Sequence, residues 1–461
     1  TIDVAGDIIL DAGGGDFDFL VGGTEVGSII RDGSNLQLKS SISDGSMIFR
    51  GNDGGSIISA LTLDMSNAGA ATFNSTINGV GILADATNFV DSILISQDAG
   101  TGTLSSASHN VGIGDDVFNV LTSGINNTAI GADAFSSLTT GQQNTALGKS
   151  AGDALTTGSF NVFIGDAAGD AVTTADSNVA IGQNALTNTT TGATNTALGR
   201  QALQANTTAS DNTAVGNQAL LNNTTGGFNT AVGARSLDAN TTGAGNVAVG
   251  EDSLSGNTEG DDNVAIGQNA LKSSTTGIRL TAIGQNALTA NTTGDSNVAI
   301  GRSALGSNTT ADDNVAIGRE ALFANTTGAD NVAIGNFALD ANTTASSNTA
   351  VGRSALGANT TGNFNVALGA LALDANTVGD RNVAVGYNAL TTYNPSSNED
   401  SYHVAVGHAA MESVTTGNKN TAVGGLALQS TTTGIDNVGL GYAALNANTT
   451  ASNNTAVFSL P

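Results

Sequence analysis

Few side chains in this sequence are suited to catalysis or to metal binding. The chain of 461 residues has three histidines, His109, His403 and His408, and no cysteine, which excludes disulfides and thiolate metal sites. No nucleophile or partner carboxylate accompanies these histidines at a recognisable spacing. Paired acids for glycoside cleavage could be assembled between subunits, but no pair in the sequence indicates them. We therefore expect no enzyme activity, no cofactor and no bound metal.

The four tyrosines all lie in the last fifth of the chain, and three of them lie in or beside one irregular segment. That segment, residues 391–402, also contains the only internal proline, Pro395. Aromatic side chains with polar tips suit contact with sugars or proteins, because they offer flat apolar area and a hydrogen-bonding group. The predicted receptor contacts are Tyr387, Tyr393, Asn398, Asp400, Tyr402 and His403. The alternative is a tolerated loop in which His403 takes a structural position.

Two acidic patterns raise the question of calcium. Gly13–Leu20 reads GGGDFDFL and resembles one copy of the calcium-binding nonapeptide of secreted toxins, which binds only when several copies stack. Aspartates also recur along the later part of the chain, at Asp211, Asp262, Asp295, Asp313 and Asp330. We interpret the first pattern as turn chemistry and the second as a solvated edge that opposes lateral aggregation.

Asn-Thr-Thr recurs many times and is formally a glycosylation sequon. We interpret it as turn chemistry, in which Asn and Thr bind their own backbone. Ice binding is the alternative, but it needs threonines two residues apart on one flat face, whereas adjacent threonines point to opposite faces of a strand.

The elements that carry these residues are set by a repeat of seventeen residues. The pentapeptide NVGIG begins at Asn110, and related pentapeptides begin at every seventeenth residue up to Asn382. After one step of twenty-one residues the next begins at His403, and the step of seventeen then returns at Asn420, Asn437 and Asn454. Numbered from the leading residue, position 0 is Asn except at Leu280 and His403. Such a short fixed period predicts a solenoid.

Each position of the repeat has a predicted role. Position 0 predicts an asparagine ladder between coils, and the Gly at position 4 predicts a corner with positive φ or close backbone approach. Positions 11 to 14, usually Asn-Thr-Thr-Gly, predict the opposite corner. Representative structural positions are Asn178, Gly182, Asn212, Gly216, Asn263 and Gly267.

These roles predict an all-β, parallel β-solenoid with two short strands and two turns in each coil. Twenty-one coils at ~4.8 Å each would form a rod of roughly 100 Å. The solenoid is predicted to span residues 109–461, with the insertion at 391–402. Residues 1–108 read instead as short strands between turns, and we expect a β-rich attachment region that forms an interleaved triple β-structure.

The strand at positions 1 to 3 reads Val-Ala-Ile or Thr-Ala-Ile and is largely apolar on both faces. A strand with one wet face should alternate apolar and polar residues. We expect the branched side chains to fill the coil and the alanine face to pack against another subunit, most simply in a homotrimer. The alternative is a lone β-helix with an exposed alanine face.

Charge and hydropathy argue against binding to nucleic acid and against a membrane-spanning helix. The net charge of −26 makes double-stranded nucleic acid an unfavourable ligand, because phosphate binding requires clustered Lys and Arg. The sequence contains no run of eighteen apolar residues and therefore predicts no transmembrane helix. Since the sequence begins at Thr1, we expect it to be a fragment or a processed product.

The repeat resembles two families of fibrous proteins. NVAIG, which begins at Asn178, Asn263, Asn297, Asn314 and Asn331, resembles the repeat of trimeric autotransporter adhesin heads. Those heads are left-handed parallel β-rolls that form trimers and bind host surfaces. The longer unit, with ALxANTTG between pentapeptides, resembles the repeat of phage tail fibres and related bacterial surface proteins. This resemblance covers about His109 to Val457.

The amino-terminal part is similar to segments of phage tail-fibre proteins, over Asp32–Gly55 and Leu61–Ile77. Neither the β-barrel anchor of autotransporters nor the helical chaperone of many phage fibres follows Asn454, so we expect either a cleaved chaperone or an incomplete sequence. The resemblance implies a bacteriophage tail fibre in the virion, attached to the particle at one end. It would bind a host glycan or protein receptor. The alternative is a bacterial surface adhesin or extracellular filament subunit.

Overall fold

The computed structural model describes residues 16–32, 35–53, 56–64, 70–73, 76–77, 80–86, 89–96 and 103–457. These residues contain β-strands and turns and no helix. The chain divides into two compact units, Thr1–Leu83 with Leu94–Ala99, and Ala84–Ile93 with Gly100–Pro461. The second unit holds the solenoid and takes in a segment upstream of the predicted boundary at residue 108.

The first unit contains two separate three-stranded antiparallel sheets. One comprises β1 (Asp16–Val21), β2 (Thr24–Asp32) and β3 (Asn35–Ser40), and the other comprises β4 (Met47–Asp53), β5 (Ser56–Asp64) and β6 (Ala70–Phe73). The turn between β1 and β2 is Gly22-Gly23, with φ of +61° and +87°. Two consecutive left-handed residues match the twist of a tight hairpin, which explains why both are glycine.

Four further strands precede the repeats: β7 (Thr76–Ile77), β8 (Val80–Ala86), β9 (Phe89–Ser96) and β10 (Ala107–Ser108). β7 and β8 form an antiparallel pair, whereas β9 and β10 pair in parallel. The N–H of Ile93 donates to the carbonyl of Asn110 at 2.9 Å, and the N–H of Asn110 donates to Ser92 Oγ at 2.8 Å. β9 therefore supplies the first coil with the hydrogen bonds that later coils receive from their predecessors.

The solenoid is a ladder of parallel strands, each paired with the strands of the neighbouring coils. The predicted parallel β-solenoid, with about 21 coils of about 17 residues, is confirmed. Its strands are β11 (Val111–Ile113), β12 (Thr128–Ile130), β13 (Thr145–Leu147), β14 (Val162–Ile164), β15 (Val179–Ile181), β16 (Thr196–Leu198), β17 (Thr213–Val215), β18 (Thr230–Val232), β19 (Val247–Val249), β20 (Val264–Ile266), β21 (Thr281–Ile283), β22 (Val298–Ile300), β23 (Val315–Ile317), β24 (Val332–Ile334), β25 (Thr349–Val351), β26 (Val366–Leu368), β27 (Val383–Val385), β28 (Val404–Val406), β29 (Thr421–Val423), β30 (Val438–Leu440) and β31 (Thr455–Ala456).

Each coil has one strand, not the two that were predicted, and this strand has three residues in every coil but the last. The remainder is turns, because the residues at positions 6 and 8 are left-handed: Asn286 and Leu288, for example, have φ of +57° and +49°. Side chains at position 8 include Phe, Leu, Met and Gly but no β-branched residue. This fits the backbone, since β-branched residues tolerate positive φ worst.

The strand faces inward with its alanine, opposite to the prediction. At position 2, Ala265, Ala282 and Ala299 are fully buried within the single chain. The branched residues at positions 1 and 3 point outward and are half-buried or exposed, as at Ile266 and Ile283. Leucines of position 8 and asparagines already fill the narrow coil, so only a small side chain fits at position 2.

Candidate functional site

The segment at 391–402 is accommodated without breaking the strand ladder. β27 and β28 pair in register, Val383 with Val404 and Val385 with Val406, although twenty-one residues separate them instead of seventeen. The four additional residues leave the coil between Tyr393 and Ser401. The coils on either side therefore hold the ends of this loop on a fixed frame.

Tyr393 lies inside the coil. Counted from Asn382 it occupies position 11, and its side chain is fully buried. Its hydroxyl donates to Ser401 Oγ at 2.5 Å, and burial raises the pKa of Tyr393 to about 12. The tyrosine thus fills the coil and fastens the end of the loop, so it is removed from the predicted receptor contacts.

His403 is also internal and substitutes for a ladder asparagine. Its backbone N–H donates to Asn382 Oδ1 at 3.2 Å, and Nδ1 accepts from the N–H of Asn420 at 3.3 Å. Nε2 donates to the carbonyl of Gly417 at 2.6 Å, as the amide nitrogen of an asparagine does elsewhere. These partners define a neutral ring protonated at Nε2, and burial lowers the pKa of His403 to about 4. Because it is fully buried, His403 is likewise removed from the contact set.

The exposed residues of the segment meet side chains from preceding coils. Asp400 forms an ion pair with Arg381 and accepts a hydrogen bond from the Tyr402 hydroxyl at 3.1 Å. The Arg381 guanidinium in turn lies 5.1 Å from the ring centroid of Phe364. We name Phe364, Arg381, Asp400 and Tyr402 the insertion edge. It presents two half-exposed aromatic rings, 54% and 49% exposed, joined by a charged pair.

Sequence reasoning missed Phe364 and Arg381, although a signal for them exists. Both occupy position 16 of their coils, seventeen residues apart, and Tyr402 directly precedes the next leading residue. The three therefore form one column along an edge of the solenoid. Asn398 is exposed in the loop, and Tyr387 is exposed on another column, at position 5. Whether the exposed residues contact a receptor stays a prediction.

The insertion edge combines groups whose chemistry suits contact with another surface. Its guanidinium and carboxylate neutralise each other, and flat rings beside hydrogen-bonding groups suit recognition of another surface. In the described part of the chain, no group of three or more His, Asp or Glu is placed to hold a metal ion. Of the nonapeptide-like sequence, the three glycines lie outside the described residues and Asp16–Leu20 lie in β1.

The leading asparagines form a hydrogen-bonded ladder inside the coil, which His403 continues and Leu280 interrupts. The N–H of Asn178 donates to Asn161 Oδ1 at 2.9 Å, and its Nδ2 donates to the Gly192 carbonyl at 3.0 Å. Asn212 and Asn263 donate in the same way from their backbone N–H, over 3.1 and 3.0 Å. All three are at most 1% exposed. Each side chain thus satisfies the backbone of two coils at once.

The corner glycines are required by their geometry. Gly182, Gly216 and Gly267 have φ of +132°, +140° and +129°. A Cβ on Gly182 would lie 2.5 Å from the carbonyl oxygen of Gly199 in the next coil. Positive φ and close approach of the neighbouring backbone therefore both apply at this corner.

A second asparagine ladder, at position 11, was not predicted. Asn240 Nδ2 donates to Asn223 Oδ1 at 2.8 Å and to the Gly243 carbonyl at 2.9 Å. The second bond is the predicted turn chemistry, and the first links coils. Both asparagines begin Asn-Thr-Thr sequons and are fully buried. The folded solenoid therefore does not present these amides to a glycosyltransferase.

The adjacent threonines of this corner face different ways. Thr241 Oγ1 at position 12 donates to the Thr258 carbonyl at 2.9 Å and is half-buried, whereas Thr242 at position 13 is exposed. One row of threonines along an edge does not form the flat two-row array that ice binding needs.

Comparisons with known proteins identify no relative: no family model, curated protein or solved structure matches this chain. Among the described residues, no helix has the length and apolarity to cross a membrane. The functional argument therefore rests on the repeat and the surfaces it presents.

Proposed function

We propose that this chain forms a homotrimeric fibre, a left-handed β-roll that serves as a structural and adhesive element. The favoured setting is a bacteriophage tail fibre, which holds host-binding surfaces away from the particle. Three copies would present each surface three times, so that weak contacts add through effective concentration. The resemblance of the repeat and of residues 32–77 to fibre proteins supports this setting.

One observation carries the proposal: an uncharged, largely apolar stripe runs along the solenoid, with Val or Thr at position 1 and Ile, Val or Leu at position 3. The outward strand face consists of the position 1 and position 3 side chains of β11–β30. Ile266, Leu198 and Leu368 on this face are 39%, 44% and 46% exposed. Over twenty strands at ~4.8 Å, the stripe extends for about 95 Å. Large contiguous apolar patches on a protein surface mark interfaces.

The regularity of the stripe points to other copies of the same chain as its occupant. The face repeats once per coil, so a partner with the same period offers a matching side chain in every coil. No charged residue occupies positions 1 to 3 in any coil, which lets chains of net charge −26 approach along this face. The buried alanines do not take part.

The mass in solution tests the proposal. Sedimentation equilibrium should give about 136 kDa, three times the 45.3 kDa of one chain. Ile266→Glu with Ile283→Glu places carboxylates on the outward strand face and should yield monomers. The matched control, Gln268→Glu with Gln285→Glu, adds the same charges at position 5, two residues further on, and should remain trimeric. A monomeric wild-type chain would refute the assembly.

The adhesive role is tested at the insertion. Removal of the four residues 396–399 should abolish adsorption of particles to host cells, whereas unchanged adsorption would exclude this loop as the receptor contact. The alternative, a bacterial surface adhesin, is favoured by the NVAIG pentapeptide itself. Gold-labelled antibodies would decorate fibres on virions in the first case and the cell surface in the second.

A further inference from the structure

The column at position 5 changes its character at the carboxyl-terminal end of the solenoid. From Asp115 to Ala370 it carries only charged residues, amides and alanine. The next four coils carry Tyr387, His408, Gly425 and Tyr442. Two tyrosines and one histidine in four coils are conspicuous in a chain of 461 residues that has only four Tyr and three His. All three rings are exposed, Tyr442 to 64%.

These rings stand on a rigid frame. The N–H of Ala409 donates to the Tyr387 carbonyl at 2.9 Å, and the N–H of Leu426 donates to the His408 carbonyl at 2.9 Å. The rings of Tyr387 and His408 are stacked, with centroids 5.7 Å apart and planes at 22°. A fixed backbone beneath exposed rings reduces the entropy lost when a ligand binds.

Gly425 leaves a gap in this column that the backbone does not require. Its φ is not in the left-handed region, and a Cβ there would meet only ordinary contacts, 3.6 Å from Tyr442 Cδ2 and 3.9 Å from the His408 carbonyl oxygen. At the corner glycine beside it, Gly424, a Cβ would lie 2.4 Å from the carbonyl oxygen of Gly441. The backbone at Gly425 therefore accepts a Cβ, and the ring of Tyr442 lies over this position.

The spacing between the backbones of His408 and Tyr442 admits one further ring once the Tyr442 ring turns away from Gly425. His408 and Tyr442 stand two coils apart, about 9.6 Å at ~4.8 Å per coil, and stacked rings have centroids about 4.5 Å or more apart. A ring seated above Gly425 would stack on His408 on one side and on Tyr442 on the other. The Tyr442 ring leans over the glycine in the free chain, and exposed side chains change rotamer within nanoseconds.

We infer that His408, Gly425 and Tyr442, extended by Tyr387, form a binding site for a pyranose ring of a neutral glycan. Apolar ring faces receive the C–H face of the sugar, and the tyrosine hydroxyls and the imidazole nitrogens offer hydrogen bonds to its hydroxyls. The net charge of −26 opposes polyanions, both nucleic acids and acidic polysaccharides. This inference rests on the proposed adhesive function and gives it a ligand class, at a site separate from the insertion edge.

Native gel electrophoresis of the full chain through dissolved polysaccharides tests the site. The probes are hydroxyethylcellulose, dextran and galactomannan, with alginate as the polyanion. At least one neutral polymer should retard the wild-type chain, and alginate should not. Tyr442→Ala should weaken the retardation at least fivefold, because one of two stacked faces is lost. Tyr442→Phe keeps the ring and should retain most of it.

Filling the gap gives the sharper variant. Gly425→Leu should abolish retardation while the fold persists, because the backbone accepts a Cβ there and the exposed Tyr442 ring can turn aside. Ala234→Leu, at the same position far from the rings, is the matched control and should bind as wild type. The inference is overturned if no neutral polymer retards the wild-type chain, if alginate retards it more strongly, or if Tyr442→Ala and Gly425→Leu bind normally. The mass of each variant, measured in parallel, separates this outcome from failure of the trimer.

Discussion

The ring of Phe163 occupies the space in which a side chain on Gly169 would lie. A Cβ on Gly169 would be 2.6 Å from Phe163 Cδ1 and Cε1. The two residues hold positions 2 and 8 of one coil, where most coils have Ala and Leu. In this coil the large side chain is therefore at position 2 and the small residue is at position 8, the reverse of most coils. The total side-chain volume stays similar, as a close-packed core requires.

This exchange predicts strong coupling between the two positions. Phe163→Ala alone should destabilise its coil by about 3 kcal/mol through the cavity it leaves, and Gly169→Leu alone should destabilise it through overpacking. The double variant restores the usual pair and should recover most of that stability. Hydrogen exchange of the flanking coils, read by mass spectrometry, measures each variant. Additive losses in the double variant would show that the two side chains do not share one space.

A break in the position 11 ladder predicts a stabilising substitution. Asn257 Oδ1 and Ser274 Oγ are buried without a hydrogen-bond partner, since Ser274 is too short to continue the ladder. Ser274→Asn should donate to Asn257 Oδ1 and accept from Asn291, and it should add about 1 kcal/mol of local stability. Amide exchange in these coils should slow about fivefold. Ser273→Asn, at the exposed neighbouring position, should leave the exchange unchanged. Equal rates in both variants would contradict the ladder argument.

Much of the fold can be predicted from the period, because each feature depends on one residue per coil. Position 0 predicts the asparagine ladder at Asn178, and position 4 predicts the corner at Gly182. Counting positions through the insertion would also have placed Tyr393 at the buried position 11. Its place in an irregular segment suggested exposure instead, because an insertion usually maps to the surface.

Which face of the strand points into the coil could not be predicted from the alternation of residue types alone. Val-Ala-Ile has two faces, and alternation does not say which one is inside. The answer depends on the width of the coil, where the buried side chains of Leu280, Leu288 and Asn291 leave room only for Ala282. The predicted second strand is absent because the residues at positions 6 and 8 have positive φ, which makes that segment a turn.

The left-handed backbone at position 8 predicts a penalty for branching at Cβ. Leu288 has φ of +49° and is fully buried. Leu288→Ile keeps the side-chain volume but places a second γ-carbon against the backbone. It should lower the stability of the coil by about 2 kcal/mol, more than an exchange of volume-matched core residues alone. Ile283→Leu, in the extended strand of the same coil, is the control and should cost under about 1 kcal/mol. Local hydrogen exchange measures both, and similar effects would show that backbone strain is unimportant there.

The buried imidazole of His403 predicts a loss of stability in mild acid. Its pKa is about 4 in the folded chain, below the ordinary value of 6.5, because burial opposes the charged form. Between pH 6.5 and 4 the unfolded chain binds a proton that the folded chain does not. The contribution is therefore fully present above pH 6.5 and falls as the pH drops towards 4, by on the order of 3 kcal/mol in total.

His403→Asn should remove this pH dependence and keep the ladder. The asparagine amide presents the same acceptor to Asn420 and the same donor to Gly417, as at the other leading positions, although it leaves space beside Tyr393. Titrating aspartates affect both chains equally, so the quantity to compare is the difference in unfolding free energy between wild type and variant. Guanidinium unfolding from pH 7.5 to 4 should show wild type losing stability relative to the variant. A constant difference across that range would mean that His403 takes up its proton in the folded coil without cost.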